Sequence, residues 1–332
     1  MKLAVIVPAA GEGQRLRPHT LRRPKVMLEV GGKPIIGHIF DRLMELHPER
    51  VCVVVPPHDQ TIANYLRSNF SRDIRFVVQP QPRGLADAVL QARQEIEDMP
   101  VLIILGDTIV DTDFNRLING DCIIGVKEVS DPRRFGVVLL ENGLVKKVIE
   151  KPQEPVSNLA IVGVYFFADG RRMFEAVELL VRAGKMVKGE FQFTDALQSL
   201  ADSGLAIKPL IIDNWLDCGT PAALLDTNRF LLEKTGGNNP HGCGQVQATF
   251  IIPPVWIAPD AFIERSVIGP FVSVSARARI TGSVVSDALI YQGAVVEQAV
   301  VCSGIVGEEA QIQGKTGLIN IGPGEHREVN LG

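Results

Sequence analysis

Ile257, Ile263, Ile268, Val274, Ile280, Val285, Ile290, Val296, Val301, Val306 and Ile312 recur every five or six residues, with Gly, Ala, Ser and Pro between them. A period near six is that of a parallel β-helix, in which each short strand buries one aliphatic residue along a common axis. A small β-sandwich with regular turns is the competing arrangement, and so long a run of near-periodic aliphatics weighs against it. With three strands to a turn, the stretch makes about three coils. Just before it, Lys234-Thr235-Gly236-Gly237-Asn238-Asn239-Pro240 is rich in turn formers and reads as a linker. The expected division is therefore a domain at 1–235, a linker at 236–245 and a repeat domain at 246–332.

The first domain has a different rhythm. Leu3–Val7, Val51–Val55, Ile74–Val78 and Val101–Leu105 are short β-branched runs of the kind buried on both faces of a parallel sheet. Helical spacing separates them: Pro34 falls near a helix start, followed by Ile35, Ile36, Ile39, Phe40, Leu43 and Leu46, and Leu85–Ile96 repeats the pattern. This order predicts a doubly wound α/β sheet with ligands outside the carboxyl ends of its strands. Strands are expected over Cys122–Val126, Val137–Leu140, Val145–Ile149 and Ile161–Phe167, and helices over 171–183, 194–203 and 220–233.

With 34 Lys+Arg against 38 Asp+Glu, the net charge of −4 gives no electrostatic reason to expect nucleic acid or a membrane surface. No apolar run approaches the roughly 18 residues of a transmembrane helix. Leu3–Val7 leads straight into Ala9-Ala10-Gly11 and reads as a strand rather than a signal peptide. Five cysteines without a CxxC pair fit reduced thiols and a cytoplasmic location.

Three places can carry chemistry. Gly11-Glu12-Gly13-Gln14-Arg15 follows the first strand, where glycines let backbone N–H groups approach phosphate oxygens. Leu16 stands where a dinucleotide fingerprint has its third glycine. Arg15 and Lys25 suit the charge that grows on a departing pyrophosphate, although either alone reads equally as a solvated surface charge. Asp107, ending the strand Val101–Leu105, can hold Mg²⁺ over phosphates, and Asp217 in Trp215-Leu216-Asp217-Cys218-Gly219 can join it. Turns also use Asp routinely. Glu150-Lys151-Pro152 ends another strand; adjacent strand residues point apart, so no ion pair is expected there. That pair reads either as a solvated strand end or as contacts to sugar hydroxyls and a sugar phosphate.

The block from Gly11 to Lys25 resembles the G-x-G-[TS]-R-[LM]-x-P-x-T…P-K motif of sugar-1-phosphate nucleotidylyltransferases. Val78-Gln79-Pro80-Gln81-Pro82-Arg83-Gly84-Leu85-Ala86-Asp87-Ala88, Gly106-Asp107, Phe135-Gly136-Val137, Glu150-Lys151-Pro152, Ser157-Asn158-Leu159-Ala160, Gly163-Val164-Tyr165-Phe166 and Trp215–Thr220 follow in that family's order. The stretch Val78–Ala88 is especially similar to glucose-1-phosphate thymidylyltransferases. The resemblance implies a Rossmann-like nucleotidyltransferase domain followed by a short left-handed β-helix. It implies transfer from dTTP or UTP to a sugar 1-phosphate such as glucose 1-phosphate, with Mg²⁺ as cofactor. By position, the backbone of Ala10, Gly11 and Gly13 would cradle the nucleotide, and Gln79 with Gly84 would hold the pyrimidine edge. Asp107 and Asp217 would bind the metal, and Arg15 and Lys25 would neutralise the β,γ-phosphates. Gly136, Glu150 and Asn158 would line the sugar pocket, with Lys151 on the sugar phosphate and Tyr165 in the core. Gln14 replaces the usual Thr or Ser of the motif, and Thr108 a frequent Asn or His.

Enzymes of the same fold with other bases or sugars, of the GDP-mannose or ADP-glucose type, are the near alternatives. A non-catalytic regulatory subunit is the distant one, and it would be expected to lose the charged site residues retained here. Acyl transfer by a β-helix usually relies on histidine, and none occurs from Gly242 to Glu325. The repeat is therefore expected to serve homo-oligomer assembly, with 1–235 carrying the chemistry.

Overall fold

The computed structural model describes residues 2–96, 98–236, 245–314 and 318–329. It forms two compact units, one of Met1–Glu12 with Ile36–Trp215 and one of Gly13–Ile35 with Leu216–Gly332. Of the expected linker, residues 237–244 lie outside the described residues.

The first unit is built on a nine-stranded sheet. Its main path runs Leu144–Glu150, Gly136–Glu141, Leu159–Phe167, Val101–Ile104, Ala4–Pro8, Arg50–Val55, Ile74–Val78. The β-branched runs pair in parallel: Ala4–Pro8 lies between Arg50–Val55 and Val101–Ile104, and Arg50–Val55 also pairs with Ile74–Val78. Leu159–Phe167 then continues the sheet antiparallel to Val101–Ile104. Ala4 to Val7 and Val101 to Ile104 are wholly buried, which is why these strands read as continuous apolar runs instead of alternating ones. The helix Ile35–Met44 buries Ile36, Ile39, Phe40 and Leu43, the face its spacing predicts.

From Ala4–Pro8 the chain crosses to Arg50–Val55 on one side, and from Ile74–Val78 it returns to Val101–Ile104 on the other. The strand order therefore reverses between Ala4–Pro8 and Val101–Ile104. A crevice outside the carboxyl ends of the strands at such a reversal is where open α/β sheets bind ligands. Gly136–Glu141 and Leu144–Glu150 form a hairpin joined by Asn142 (φ 53°) and Gly143 (φ 77°), the Asn-Gly pair that a two-residue turn with positive φ favours. Its register sets Gly136 opposite Glu150.

In the second unit the aliphatic repeat is a parallel β-helix. One six-stranded sheet stacks Gln245, Phe262, Arg279, Val295, Gln311 and His326 in register, so successive coils advance by 17, 17, 16, 16 and 15 residues. Ile263, Ile280, Val296 and Ile312 form one buried ladder, and Ile257, Val274, Ile290, Val306 and Ile321 another. The six rungs exceed the expected three coils. The end strands Gln245–Gln247 and His326–Val329 carry mostly polar residues, so the aliphatic signal fades before the helix does. Corner residues fall in αL columns, such as Arg265, Gly282 and Gln298, or Arg277, Gly293 and Glu309.

The segment Gly13–Ile35 and the helix Pro221–Lys234 pack on this β-helix. Thr220 caps that helix through a bond from Ala223 N–H, with Pro221 in its first turn. Asn228, fully buried, joins three parts. Its Oδ1 accepts from Gly31 N–H (2.9 Å) and Ser273 Oγ (2.6 Å), and its Nδ2 donates to the Phe271 carbonyl (3.0 Å).

Candidate functional site

At the strand-order reversal, Gly106 N–H donates to the Pro8 carbonyl at 2.9 Å, tying together the ends of the two central strands. Ala10 is buried, whereas a Cβ placed on Gly11 would meet nothing within 4 Å. Gly11 thus leaves free space beside backbone N–H groups, as an approaching phosphate requires. Half-buried Asp107 follows Gly106, its Oδ1 accepting from Thr108 Oγ1 at 3.4 Å. Thr108 therefore turns its hydroxyl onto the carboxylate.

Gln79 follows the outermost parallel strand and is 5% exposed. Its Nε2 donates to Asp87 Oδ2 at 2.8 Å and to the Gly84 carbonyl at 3.1 Å. Asp87, itself 1% exposed, also accepts from Arg83 Nη2. Both amide hydrogens of Gln79 are thereby engaged within the fold, leaving Oε1 as an acceptor. Gly84, at φ 96°, is fixed by crowding: an added Cβ would lie 2.7 Å from the Phe191 carbonyl. Asp87 and its clamp on Gln79 carry no sequence signal beyond an i,i+4 spacing from Arg83.

The hairpin register brings Gly136 and Glu150 together, and a Cβ on Gly136 would sit 3.0 Å from Glu150 Oε2. Thr194 Oγ1 donates to the same oxygen at 3.3 Å, a partner no sequence pattern indicates. Lys151 departs from the expectation. Its Nζ lies 3.1 Å from Glu150 Oε1, so the two residues do pair. Lys151 leaves the strand at φ 44°, which abolishes the alternation that would have pointed the side chains apart. The lysine is largely exposed, so this contact is weak and exchangeable. Asn158 is exposed, at the loop before Leu159–Phe167. Tyr165 is core, edge-on to Phe193 at 5.0 Å. Burial first, then the negative charges of Glu150 and Asp107, hold its phenol above the ordinary range. Both carboxylates thus bear on one side chain of the first unit.

The remaining candidate residues belong to the second unit. Gly13 adopts φ 62°, its carbonyl accepts from Thr20 Oγ1 at 2.9 Å, and a Cβ on it would lie 2.9 Å from Lys25 Cβ. Glycine is obligatory there, because the loop closes over Lys25, which is 6% exposed. Arg15 and Asp217 converge on Gly219. A Cβ on Gly219 would lie 3.0 Å from Arg15 Nη2 and 2.8 Å from Asp217 Oδ1. The glycine keeps open the space that a cation and a carboxylate both border.

The Nucleotidyl transferase family profile matches residues 4–234, and the chain belongs to that family. It is 34% identical over 231 residues to the Bifunctional protein GlmU of Methanocaldococcus jannaschii, a match covering 69% of this chain and 54% of that protein, so the chain spans about half of that relative's length. It is 32% identical over 307 residues to a glucose-1-phosphate thymidylyltransferase of Streptomyces antibioticus, covering 85% of each. Among solved structures, an apo UDP-glucose pyrophosphorylase superposes with a TM-score of 0.61 at 23% identity, over 71% of this chain and all of that one. The last likeness concerns the fold alone.

Proposed function

We propose that the chain transfers a nucleotidyl group from dTTP or UTP to a sugar 1-phosphate, with glucose 1-phosphate as the favoured acceptor, giving a nucleoside-diphosphate sugar and pyrophosphate. The observation that carries this reading is the strand-order reversal, where Gly11 leaves open space and Asp107 supplies a carboxylate. Family membership narrows the chemistry to nucleotidyl transfer.

A phosphate oxygen of the sugar 1-phosphate attacks the α-phosphorus in line; the new O–Pα bond forms as the bond to the β-phosphate breaks. That oxygen is anionic at neutral pH, so no general base is required, and alignment with charge neutralisation carries the rate. Backbone N–H groups at Ala10, Gly11 and Gly13 cradle the triphosphate. Arg15 and Lys25 take the charge on the β,γ-phosphates, and Lys151 takes the sugar phosphate, giving up Glu150. Glu150, Gly136 and Asn158 face the sugar. Gln79 Oε1, an acceptor only, matches the N3–H donor of thymine or uracil, beside Gly84.

Asp107 and Asp217 would hold Mg²⁺. Among the described residues no three His, Cys, Asp or Glu side chains group as a metal cage. Two carboxylates with phosphate oxygens and water are the hard-oxygen set this ion ordinarily takes. When bound, it supplies neutralisation of triphosphate charge.

Among the described residues no helix is long and apolar enough to cross a membrane, and the reading includes a cytoplasmic location. It also includes a homo-oligomer through the β-helix. This is supported by the ladder Phe250, Val267, Val284, Val300, in which Phe250 and Val284 are exposed. The deciding experiment measures pyrophosphate release across a grid of triphosphates and sugar 1-phosphates with Mg²⁺. Preference for ATP or GTP overturns the pyrimidine assignment, and no turnover with any pair overturns the function.

A further inference from the structure

The segment that carries Arg15 and Lys25 is held from the far end of the chain. Arg23 forms a two-pronged bond with Glu308, Nε to Oε2 and Nη2 to Oε1, each 2.7 Å. Both side chains are mostly buried. Planar pairing of this kind fixes direction as well as distance. Glu308 sits at a β-helix corner between Val300–Val306 and Gln311–Gly314, beside Glu309 at φ 56°. Arg22 pairs with Glu309 at 3.4 Å, and Glu29 accepts from Ser275 Oγ. His19 stands edge-on to Tyr291 at 5.9 Å, and Pro18 packs so closely that a Cβ on Gly322 would lie 2.5 Å from its ring. From Pro18 to Glu29 the segment is thus braced by successive coils of the β-helix, from Ser275 to Gly322. Lys25 is two residues from the fork, and Arg15 precedes the braced stretch by one short turn.

We infer that Glu308 is a positioning residue for the triphosphate end of the site: through Arg23 it fixes the backbone that presents Lys25 and Arg15. The inference rests on reading that segment as the triphosphate loop. It gives the β-helix a part in the chemistry beyond assembly. A chain ending near Asn238 loses these braces, and so does not keep a complete site even if its sheet folds.

The test uses full-length Glu308→Ala, Arg23→Ala, the double variant and the exchanged pair Arg23→Glu/Glu308→Arg. Each single variant should raise the triphosphate KM on the order of fivefold or more and leave the sugar 1-phosphate KM within about twofold. The double variant should be no worse than the worse single one, and the exchanged pair should recover most of the loss. Amide hydrogen exchange over residues 14–27 should quicken in the single variants and return towards wild type in the exchanged pair. Unchanged exchange in that stretch with an unchanged triphosphate KM overturns the inference, as does an equal rise in both KM values. If the wild type turns over no substrate pair, the functional reading fails separately, and the exchange measurement alone decides whether Glu308 fixes the segment.

Discussion

Asn228→Ala should destabilise the second unit by about 1–3 kcal/mol. The substitution removes one partner from each of three groups: Gly31 N–H, the Ser273 hydroxyl and the Phe271 carbonyl. Gly31 is only half-buried and can turn to water. The Phe271 carbonyl keeps Ala288 N–H at 3.1 Å, whereas Ser273 is 4% exposed and its hydroxyl is left facing an alanine methyl. One buried group without its partner, at roughly 1–3 kcal/mol, gives that range. Urea unfolding followed by the fluorescence of Trp256, which lies over Gly32 in the same joint, reads the effect in a Trp215→Phe background. With a slope of about 2 kcal/mol per M, the midpoint should fall by roughly 0.5–1.5 M. A loss below about 1 kcal/mol with an unaltered slope would refute the idea that Asn228 bonds the three parts together.

Asp107→Asn and Asp217→Asn should each cut turnover on the order of 10²-fold or more at limiting Mg²⁺; normal rates in both would remove them as metal ligands. Gln79→Ala should raise the triphosphate KM more than it lowers kcat, and Gln79→Glu should be worse, because it sets a second carboxylate against Asp87. Cys52 and Cys122 have thiol pKa values pushed up to about 12, chiefly by burial. Native protein at pH 8 should therefore be alkylated at exposed Cys302 and spared at Cys52 and Cys122, as peptide mass mapping would read. Above pH 9 the unfolded chain ionises these two thiols while the folded chain does not, so stability falls between pH 9 and 12; a flat stability profile there contradicts their burial.

The strands of the first unit were legible because Val51–Val55 and Val101–Ile104 are buried on both faces and so carry unbroken apolar runs. Thr61–Asn69 was not, since only Ile62, Ala63 and Leu66 of that short helix are buried. Lys208–Ile211 contains Pro209, which argues against a strand; it is tolerated because the segment pairs only with Cys122–Glu128, at an edge. At the site, residue types and order were readable from the chain, but not their partners. The Glu150–Lys151 pair depends on one positive φ, and Thr194 reaches Glu150 from 44 residues away. Arg23 and Glu308 each look like solvated surface charges until the β-helix corner places one against the other.

The sequence separation of 285 from Arg23 to Glu308 also sets a timetable. A ribosome adding about 5–20 residues per second makes the arginine roughly 15–60 s before its carboxylate partner exists. Through that interval the central strands can pair, since Ala4–Pro8, Arg50–Val55 and Val101–Ile104 are all made early. The stretch from Pro18 to Glu29 must wait with its two adjacent arginines unmatched. Bracing of the segment that carries Arg15 and Lys25 is thereby one of the last events of synthesis, and a chain released early leaves that segment without its carboxylate anchor.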